Sequence, residues 1–460
     1  MDDPAVAALA ASYNMHYWLQ TRHSWSEEIT APPPHRPRRF ISFEPWAGGF
    51  NNVRMSLEQA VALSVALNRT LVWPPVRRIY LRGRSKLEDY FSLQELQRGF
   101  AALGLDGPIP FEQFAEEFGS ERAHALVVAG TLRDSTDPEV RVFTKATAKD
   151  ATKGSSLFGI GDVVVCVPRC PSNGSAGRLG TRPPSVDTSL ANLMTFRKAH
   201  QRLIDADQLE TPRVLHFRKN LLGNFYTLVW SDDPAVGARI KRLVRDGVHY
   251  RAEIFERADR LVRWLGGAHN FSCMHIRRND FQYKAMRNLP AGRILDNTQR
   301  IWRRGELVYV ATDERVDPRP GFDPLTPATR RDLSFFAPIT TVLRTAFLAH
   351  AYKGVLERDT PSYWLGCIEQ LVCARARTFV GTYFSTFTSY IQRLRGYMGD
   401  VRHTGFLYTH MRYPEQYRRS TPRGGVGRMG PSWSQMPGSH PSWAREYAEG
   451  WEGTEAPIFR

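Results

Sequence analysis

Between residues 50 and 70 the apolar positions Val53, Leu57, Val61 and Val65 recur at the spacing of one helical turn, with Ala60 and Ser64 beside them. That period predicts a helix from about Asn52 to Leu67 with one apolar face. A short apolar run, Phe40 to Phe43, precedes it, separated by the turn Pro45-Trp46-Ala47-Gly48-Gly49. Thr70-Leu71-Val72-Trp73 follows as a strand, stopped by Pro74-Pro75. Strand, glycine turn, helix and strand in this compass make a βαβ unit, whose crossover is expected to be right-handed. Asp89 to Leu96 and Phe111 to Phe118 read as further short helices, and the β-branched run Val163 to Val167 as a buried strand.

The alternation resumes near Tyr250. A helix over Arg251 to Leu265 carries Ile254, Ala258, Leu261, Val262 and Leu265 on one stripe, and another over Tyr363 to Ala374 buries Trp364, Ile368, Leu371 and Val372. Three strands are predicted with them: Phe271 to Ile276, Leu307 to Ala311 and Thr378 to Val380. The pattern describes two α/β halves with a boundary near residue 240. We therefore expect domains at 40–240 and 241–410, between an irregular tail at 1–39 and a Pro-, Gly-, Ser- and Arg-rich tail at 411–460.

Composition agrees with this picture. The 460 residues leave room for two or three domains, and 42% hydrophobic with 23% charged residues is a globular profile. No window is long and apolar enough to read as a membrane span. Met1 to Ala11 is too short, acidic and weakly apolar for a secretory signal, which leaves a cytosolic protein or one whose targeting segment is missing from this sequence. Of 62 basic residues nine are lysine, so 53 are arginine, and the formal charge is +16. Arginine's planar fork suits phosphate ligands, although codon bias explains the same excess. The basic residues are scattered and no zinc or RNA-recognition pattern accompanies them, so no nucleic-acid partner is expected. Cys166 and Cys170 are near enough to bridge within a loop, whereas Cys273, Cys367 and Cys373 lie in apolar stretches and read as buried thiols. Sequons at Asn68, Asn173 and Asn270 are a weak pointer to a secretory compartment.

Four polar segments directly follow predicted strands: Gly48 to Arg54, His275 to Asp280, Thr312-Asp313, and Gly381 to Phe387. Ligands of open α/β sheets bind beyond the carboxyl ends of the strands. If the strands are parallel, the last three segments share one crevice, and the first would face them across an interdomain cleft. A guanidinium in His275-Ile276-Arg277-Arg278-Asn279-Asp280 can grip a diphosphate and neutralise its charge as it leaves. The same residues also suit a salt-bridged surface turn. Gly381-Thr382-Tyr383-Phe384-Ser385-Thr386-Phe387 runs into a helix predicted over Ser389 to Arg395, and helix N-terminal amides with hydroxyls suit phosphate oxygens, or simply a Ser/Thr cap. No G-x-G-x-x-G fingerprint or Walker lysine accompanies the Gly48-Gly49-Phe50-Asn51-Asn52 turn, which disfavours a dehydrogenase or an ATPase. Asp205-Ala206-Asp207 matches the D-x-D of metal-dependent glycosyltransferases but follows a helix-like stretch, so no metal is expected.

These segments resemble the motifs of the GDP-fucose protein O-fucosyltransferase family. Gly48-Gly49-Phe50-Asn51-Asn52-Val53-Arg54, continuing through Asn68 to Pro75, resembles its first motif. His275 to Phe281 resembles its H-x-R-R-x-D-F, Val308 to Asp313 its strand ending in A-T-D, and Phe379 to Phe387 its final F-x-G-T-x-x-S-T-F. Four motifs stand in the right order over about residues 40 to 400. The resemblance implies an α/β, GT-B-like fold of two Rossmann-like domains facing each other across a cleft. It implies inverting, metal-independent transfer of fucose from GDP-fucose to a Ser or Thr hydroxyl, with no cofactor and a protein or glycan as acceptor.

Carried over by motif, Arg277 would bind the β-phosphate and stabilise the leaving diphosphate. His275 and Asp313 would contact the nucleoside, with Arg278, Asp280 and Thr382 in the donor site, and Ser385, Thr386 and Phe387 would hold the phosphates and the sugar side. Gly48, Gly49, Phe50, Asn51, Asn52 and Arg54 would form the first-domain loop lining the cleft. Some members carry a glutamate just before G-F-N as base for the acceptor; here that position is Gly48 or Gly49, and Glu44, the nearest carboxylate, is a candidate that the motif itself does not license. Relatives that use UDP-rhamnose leave the donor open, and the missing glutamate leaves a catalytically silent nucleotide-sugar binder open. Family resemblance tips the expected location toward the secretory pathway.

Overall fold

The computed structural model describes residues 37–408 and 426–428, except for 46–47, 80–82, 133–135, 144–162, 168–201, 206–208, 219–220, 225–228, 232–233, 280, 299, 315–326, 349–353, 357–359, 384 and 398–404. The chain divides between Arg251 and Ala252 into two compact units.

The N-terminal unit runs β1 (Phe40–Phe43), α1 (Phe50–Leu67), β2 (Thr70–Leu71), an antiparallel pair β3 (Arg77–Ile79) and β4 (Gly83–Ser85), α2 (Leu93–Ala102), α3 (Phe111–Phe118), α4 (Ser120–Ala123), β5 (Val140–Phe143), β6 (Val163–Val167), β7 (Arg202–Asp205), β8 (Val214–Phe217), β9 (Val229–Ser231) and α5 (Pro234–Gly247). Its main sheet is parallel, in the order β2-β1-β8-β5, and a second parallel sheet has the order β7-β6-β9.

The helix predicted at Asn52 is α1, but it is buried on nearly all sides and not along a single stripe, with Arg54, Glu58 and Gln59 enclosed as well. A helix covered on every side lies inside its domain. It ends where Asn68 takes a left-handed conformation (φ 48°) and the next amide, that of Arg69, bonds back to the carbonyl of Ser64 at 3.0 Å. The helix expected over Asp89 to Leu96 is instead a 3-10 turn at Leu87–Asp89 followed by α2. The break falls at Ser92, whose hydroxyl accepts from the Glu95 amide (3.3 Å) and so caps α2 there. Asp205 was read into a helix-like stretch, yet it closes strand β7, which pairs in register with β6 from Arg202 to Asp205. Sheet pairing with a distant segment decided this, where local pattern could not. Asp207, the other carboxylate of that motif, lies outside the described residues, as do Asn173 and Cys170.

The C-terminal unit runs α6 (Ala252–Trp264), β10 (Phe271–Ile276), α7 (Lys284–Arg287), α8 (Ala291–Thr298), β11 (Leu307–Thr312), α9 (Pro327–Val342), β12 (Arg344–Phe347), α10 (Leu365–Ala374), β13 (Phe379–Thr382), α11 (Thr386–Tyr397), β14 (Gly405–Tyr408) and β15 (Val426–Arg428). One sheet orders them β12-β11-β10-β13-β14-β15, parallel except for β15. Residues 426–428, expected to be irregular, thus add an antiparallel edge strand. Strands β10, β13 and β14 are buried along their whole length and β11 through its interior, the signature of a parallel sheet covered by helices. Cys273 of β10 and Cys373 of α10 form a disulfide, so the reading of both as thiols is corrected; Cys367 is a buried free thiol. Two cysteines 100 residues apart meet because α10 returns across the strand. No helix among the described residues is long and apolar enough to cross a membrane.

Candidate functional site

In the C-terminal unit the chain lays β11 and β12 to one side of β10, then crosses back to place β13 and β14 on the other. The order therefore reverses between β10 and β13, and the loops leaving their carboxyl ends diverge. Such a switch point opens the crevice in which ligands of doubly wound sheets bind. Arg277 follows β10 there, Asp313 follows β11, and Thr382 to Thr386 join β13 to α11.

The Thr382 hydroxyl ties this corner together. It donates to the carbonyl of His275 (2.9 Å), accepts the Arg277 amide (2.9 Å), and lies 2.6 Å from the phenol of Tyr408. A hydroxyl has one proton to give, so Tyr408 must be the donor in the last contact, and the Thr382 oxygen is fully used. The backbone that aims Arg277 is thus held by three strands.

The Arg277 guanidinium is about a quarter exposed and pairs with Asp313 at 3.0 Å. The other Asp313 oxygen accepts the Arg278 amide at 2.8 Å. Asp313, expected at the nucleoside, is therefore engaged by both arginines of the motif. Arg278 itself turns away from Arg277: its guanidinium lies 3.5 Å over the Phe335 ring and 3.3 Å from Glu314, so its side chain supports the loop from behind.

His275, expected to contact the nucleoside, has its side chain enclosed. Its Nδ1 is 2.7 Å from the Thr388 hydroxyl and its ring leans on Phe387, with centroids 4.6 Å apart. Burial, and then the neighbouring charge of Arg277, push its pKa down to about 3, so the ring is neutral at physiological pH. Gly381 is required here, because a Cβ would overlap the Thr388 side chain, with the hydroxyl oxygen at 2.7 Å. Ser385 is buried and its carbonyl accepts the Ser389 amide (3.1 Å), opening α11, while Thr386 and Phe387 are half-buried in its first turn. The structure thus brings His275, Arg277, Asp313, Thr382, Ser385, Thr386 and Phe387 to one corner. Asp280 lies outside the described residues.

In the N-terminal unit the order also reverses, between β1 and β8. Gly48 turns the chain with φ 87°, and the Gly49 carbonyl accepts the Asn52 amide (2.9 Å) to start α1. Asn52 donates its side-chain amide to the Gly223 carbonyl at 2.8 Å, pinning the loop after β8, while Phe50 and Asn51 are buried. Arg54, expected to line the site, belongs to the core: it is ion-paired with Glu58 (3.0 Å), donates to the Val248 carbonyl and packs on Tyr250. Helical periodicity explains its direction, since it lies one turn before Glu58 on a helix enclosed all round.

Sequence reading missed His216. It stands opposite Ser42 in the β1–β8 ladder, with Nδ1 2.7 Å from the Ser42 hydroxyl and Nε2 3.4 Å from Glu44. A single histidine inside the apolar run Val214 to Phe217 was the available signal. Among the described residues no group of three or more His, Cys, Asp or Glu side chains is placed to hold a metal.

The model of the family described as GDP-fucose protein O-fucosyltransferase matches residues 40–398. Comparison with curated proteins finds no match. Among solved structures, the chain is similar to POFUT1 in complex with GDP-fucose, at 14% identity over 82% of this chain and 99% of that one, with a TM-score of 0.39. A mutant of Arabidopsis thaliana FUT1 in complex with GDP is similar at 12% identity, over 93% and 83%, with a TM-score of 0.39. The fucosyltransferase NodZ from Bradyrhizobium is similar at 15% identity, over 78% and 94%, with a TM-score of 0.38.

Proposed function

The chain belongs to the GDP-fucose protein O-fucosyltransferase family, and from that premise we propose that it transfers fucose from GDP-fucose to a Ser or Thr hydroxyl of a protein. It is a glycosyltransferase of the fucosyltransferase kind. The finer reading is an inverting, metal-independent displacement, with the donor diphosphate at the β10–β13 switch point of the C-terminal unit. One observation carries it: Arg277 stands at that point with its amide fixed on Thr382 and its guanidinium oriented by Asp313.

In this reading the acceptor oxygen attacks the anomeric carbon as the bond to the diphosphate breaks. Negative charge grows on the departing GDP, and a guanidinium already aimed at that oxygen stabilises the transition state more than the ground state. Without such a cation in place, solvent would have to reorganise during the step. Ser385, Thr386 and the α11 N-terminus offer hydroxyl and amide donors to the same phosphates. His275, neutral and enclosed, holds Phe387 and Thr388 at the sugar side.

Removing one preorganised donor costs about 2.7 to 4 kcal/mol in the transition state. Arg277→Ala is therefore expected to cut GDP-fucose turnover roughly a hundredfold or more while circular dichroism stays that of the wild type. Near-wild-type turnover by the folded variant would overturn the assignment. Calorimetric titration with GDP and with UDP tests the donor, and a preference for UDP would move the reading to a rhamnosyl or other sugar donor.

A further inference from the structure

We propose that Tyr408 is a positioning residue of the nucleotide site: its buried phenol locks the Thr382 hydroxyl, which sets the backbone from which Arg277 reaches the β-phosphate. The proposal rests on the fucosyl-transfer reading and deepens it, and every residue it uses belongs to the C-terminal unit.

The sheet register shows what the Thr382 hydroxyl replaces. The Cys273 amide of β10 donates to the Thr378 carbonyl at 2.8 Å, and a parallel ladder repeats every two residues on each strand. Two steps on, the Arg277 amide is due opposite the Thr382 carbonyl. By then β10 has ended at Ile276 and the chains are parting at the switch point, and the amide is taken by the Thr382 hydroxyl at 2.9 Å. The same hydroxyl gives its proton to the His275 carbonyl at 2.9 Å, so one side chain grips the backbone on both sides of Ile276. The next amide, that of Arg278, is held by Asp313 at the end of the neighbouring strand β11.

Tyr408 completes the grip. It is the register partner of Thr382 on β14, so the two side chains leave the same face of the sheet side by side, with their oxygens 2.6 Å apart. Thr382 spends its one proton on His275, so the phenol is the donor. Tyr408 is 1% and Thr382 0% exposed. Burial pushes the phenol's pKa above its ordinary value, and the Asp313 carboxylate adds to this against Thr382 and Arg278, so the proton stays in place at physiological pH.

A threonine side chain has other staggered positions to turn to. Only one of them satisfies the amide, the carbonyl and the phenol together, so the phenol selects it. Phenylalanine would fill the same space, so packing does not account for the hydroxyl. A buried hydroxyl is costly unless it is paired, and this one is paired with the oxygen that holds the peptides flanking Ile276.

Calorimetric titration of the full chain with GDP and with GMP separates positioning from simple loss of structure, because GMP lacks the β-phosphate. Wild type is expected to bind GDP about tenfold or more tightly than GMP, and Arg277→Ala to remove most of that difference. Tyr408→Phe should weaken GDP about three- to tenfold, the range of one neutral hydrogen bond, and leave GMP within about twofold. Added to Arg277→Ala, it should change neither affinity by more than about twofold, since the guanidinium it positions is gone. Thr382→Val, which removes the same hydrogen bond from the other side, should repeat the selective loss of GDP; it carries the test if Tyr408→Phe does not fold. Equal losses of GDP and GMP, or an undiminished loss in the Arg277→Ala background, overturn the positioning role. So does GDP affinity within about twofold of wild type in folded Tyr408→Phe. If neither variant folds, the cluster is structural and the proposal falls as well. A wild-type protein that does not bind GDP, or binds GDP and GMP alike, overturns instead the placing of a diphosphate at Arg277.

Discussion

His275 illustrates how a single side chain serves the site without facing solvent. Its Nδ1 meets the Thr388 hydroxyl at 2.7 Å and its ring supports Phe387, both from the first turn of α11. Protonation would place a cation in a buried pocket beside Arg277, which is why its pKa falls to about 3 from an unfolded value near 6.5. The sign of the consequence follows from proton counting. Between pH 6.5 and about 3 the unfolded chain binds a proton at this position that the folded chain refuses, so stability falls as pH falls. Above 6.5 neither state holds that proton and the contribution is flat. Comparing wild type with His275→Asn by urea denaturation at several pH values isolates it. Wild type should lose stability relative to the variant only below pH 6.5, with a slope approaching about 1.4 kcal/mol per pH unit. A difference that stays constant down to pH 4 would show that the ring does not have to be neutral. The motif singled out His275 in the sequence, but not the contacts that enclose it: the Thr388 partner of its ring is 113 residues away, and no local pattern encodes such a meeting.

At the scale of elements, the strands with strong local character were the most legible. Phe271–Ile276 and the helix at Phe111–Phe118 carry the bounds that the apolar pattern predicted, since each sits in a continuous run with clear stops. Where a choice depended on a distant partner the sequence was silent. Arg202–Asp205 became a strand only through pairing with β6, and Cys273 found Cys373 only because α10 packs over β10. His216 went unnoticed for the same reason, because the strand that carries it was not recognised. Gly381 shows an element-level constraint that can be tested. It lets the start of α11 approach β13 so closely that a methyl group would overlap Thr388. Gly381→Ala is therefore expected to cost about 1–3 kcal/mol by overpacking, and to weaken GDP binding because α11 shifts with Thr388. Adding Thr388→Ser removes the methyl group nearest the intruding atom and should recover part of both losses. Additive effects in chemical denaturation and calorimetry would show that the two residues do not share the contact.

At the scale of the whole molecule, the order of the motifs was legible because each follows a strand, and two α/β units result. Each unit has its own sheet and its own buried core, so unfolding is not bound to be one cooperative event. The proposed nucleotide contacts, Arg277, Ser385 and Thr386, all belong to the C-terminal unit. A ligand that binds the folded form of one unit stabilises that unit by mass action, by about 2.7 kcal/mol at a hundredfold excess over Kd. GDP should therefore raise the calorimetric transition of the C-terminal unit and leave that of the N-terminal unit where it was. UDP should move it less, and Arg277→Ala should remove most of the GDP shift without lowering the transition in the absence of nucleotide, since the Arg277 guanidinium is partly exposed and outside the core. The net charge of +16 gives any polyanion a general attraction that salt screens within about 8 Å at physiological ionic strength. Repeating the titration at higher salt separates the two effects. A shift that survives in Arg277→Ala but vanishes with salt would come from the protein's overall field, and the nucleotide site would have to be sought elsewhere.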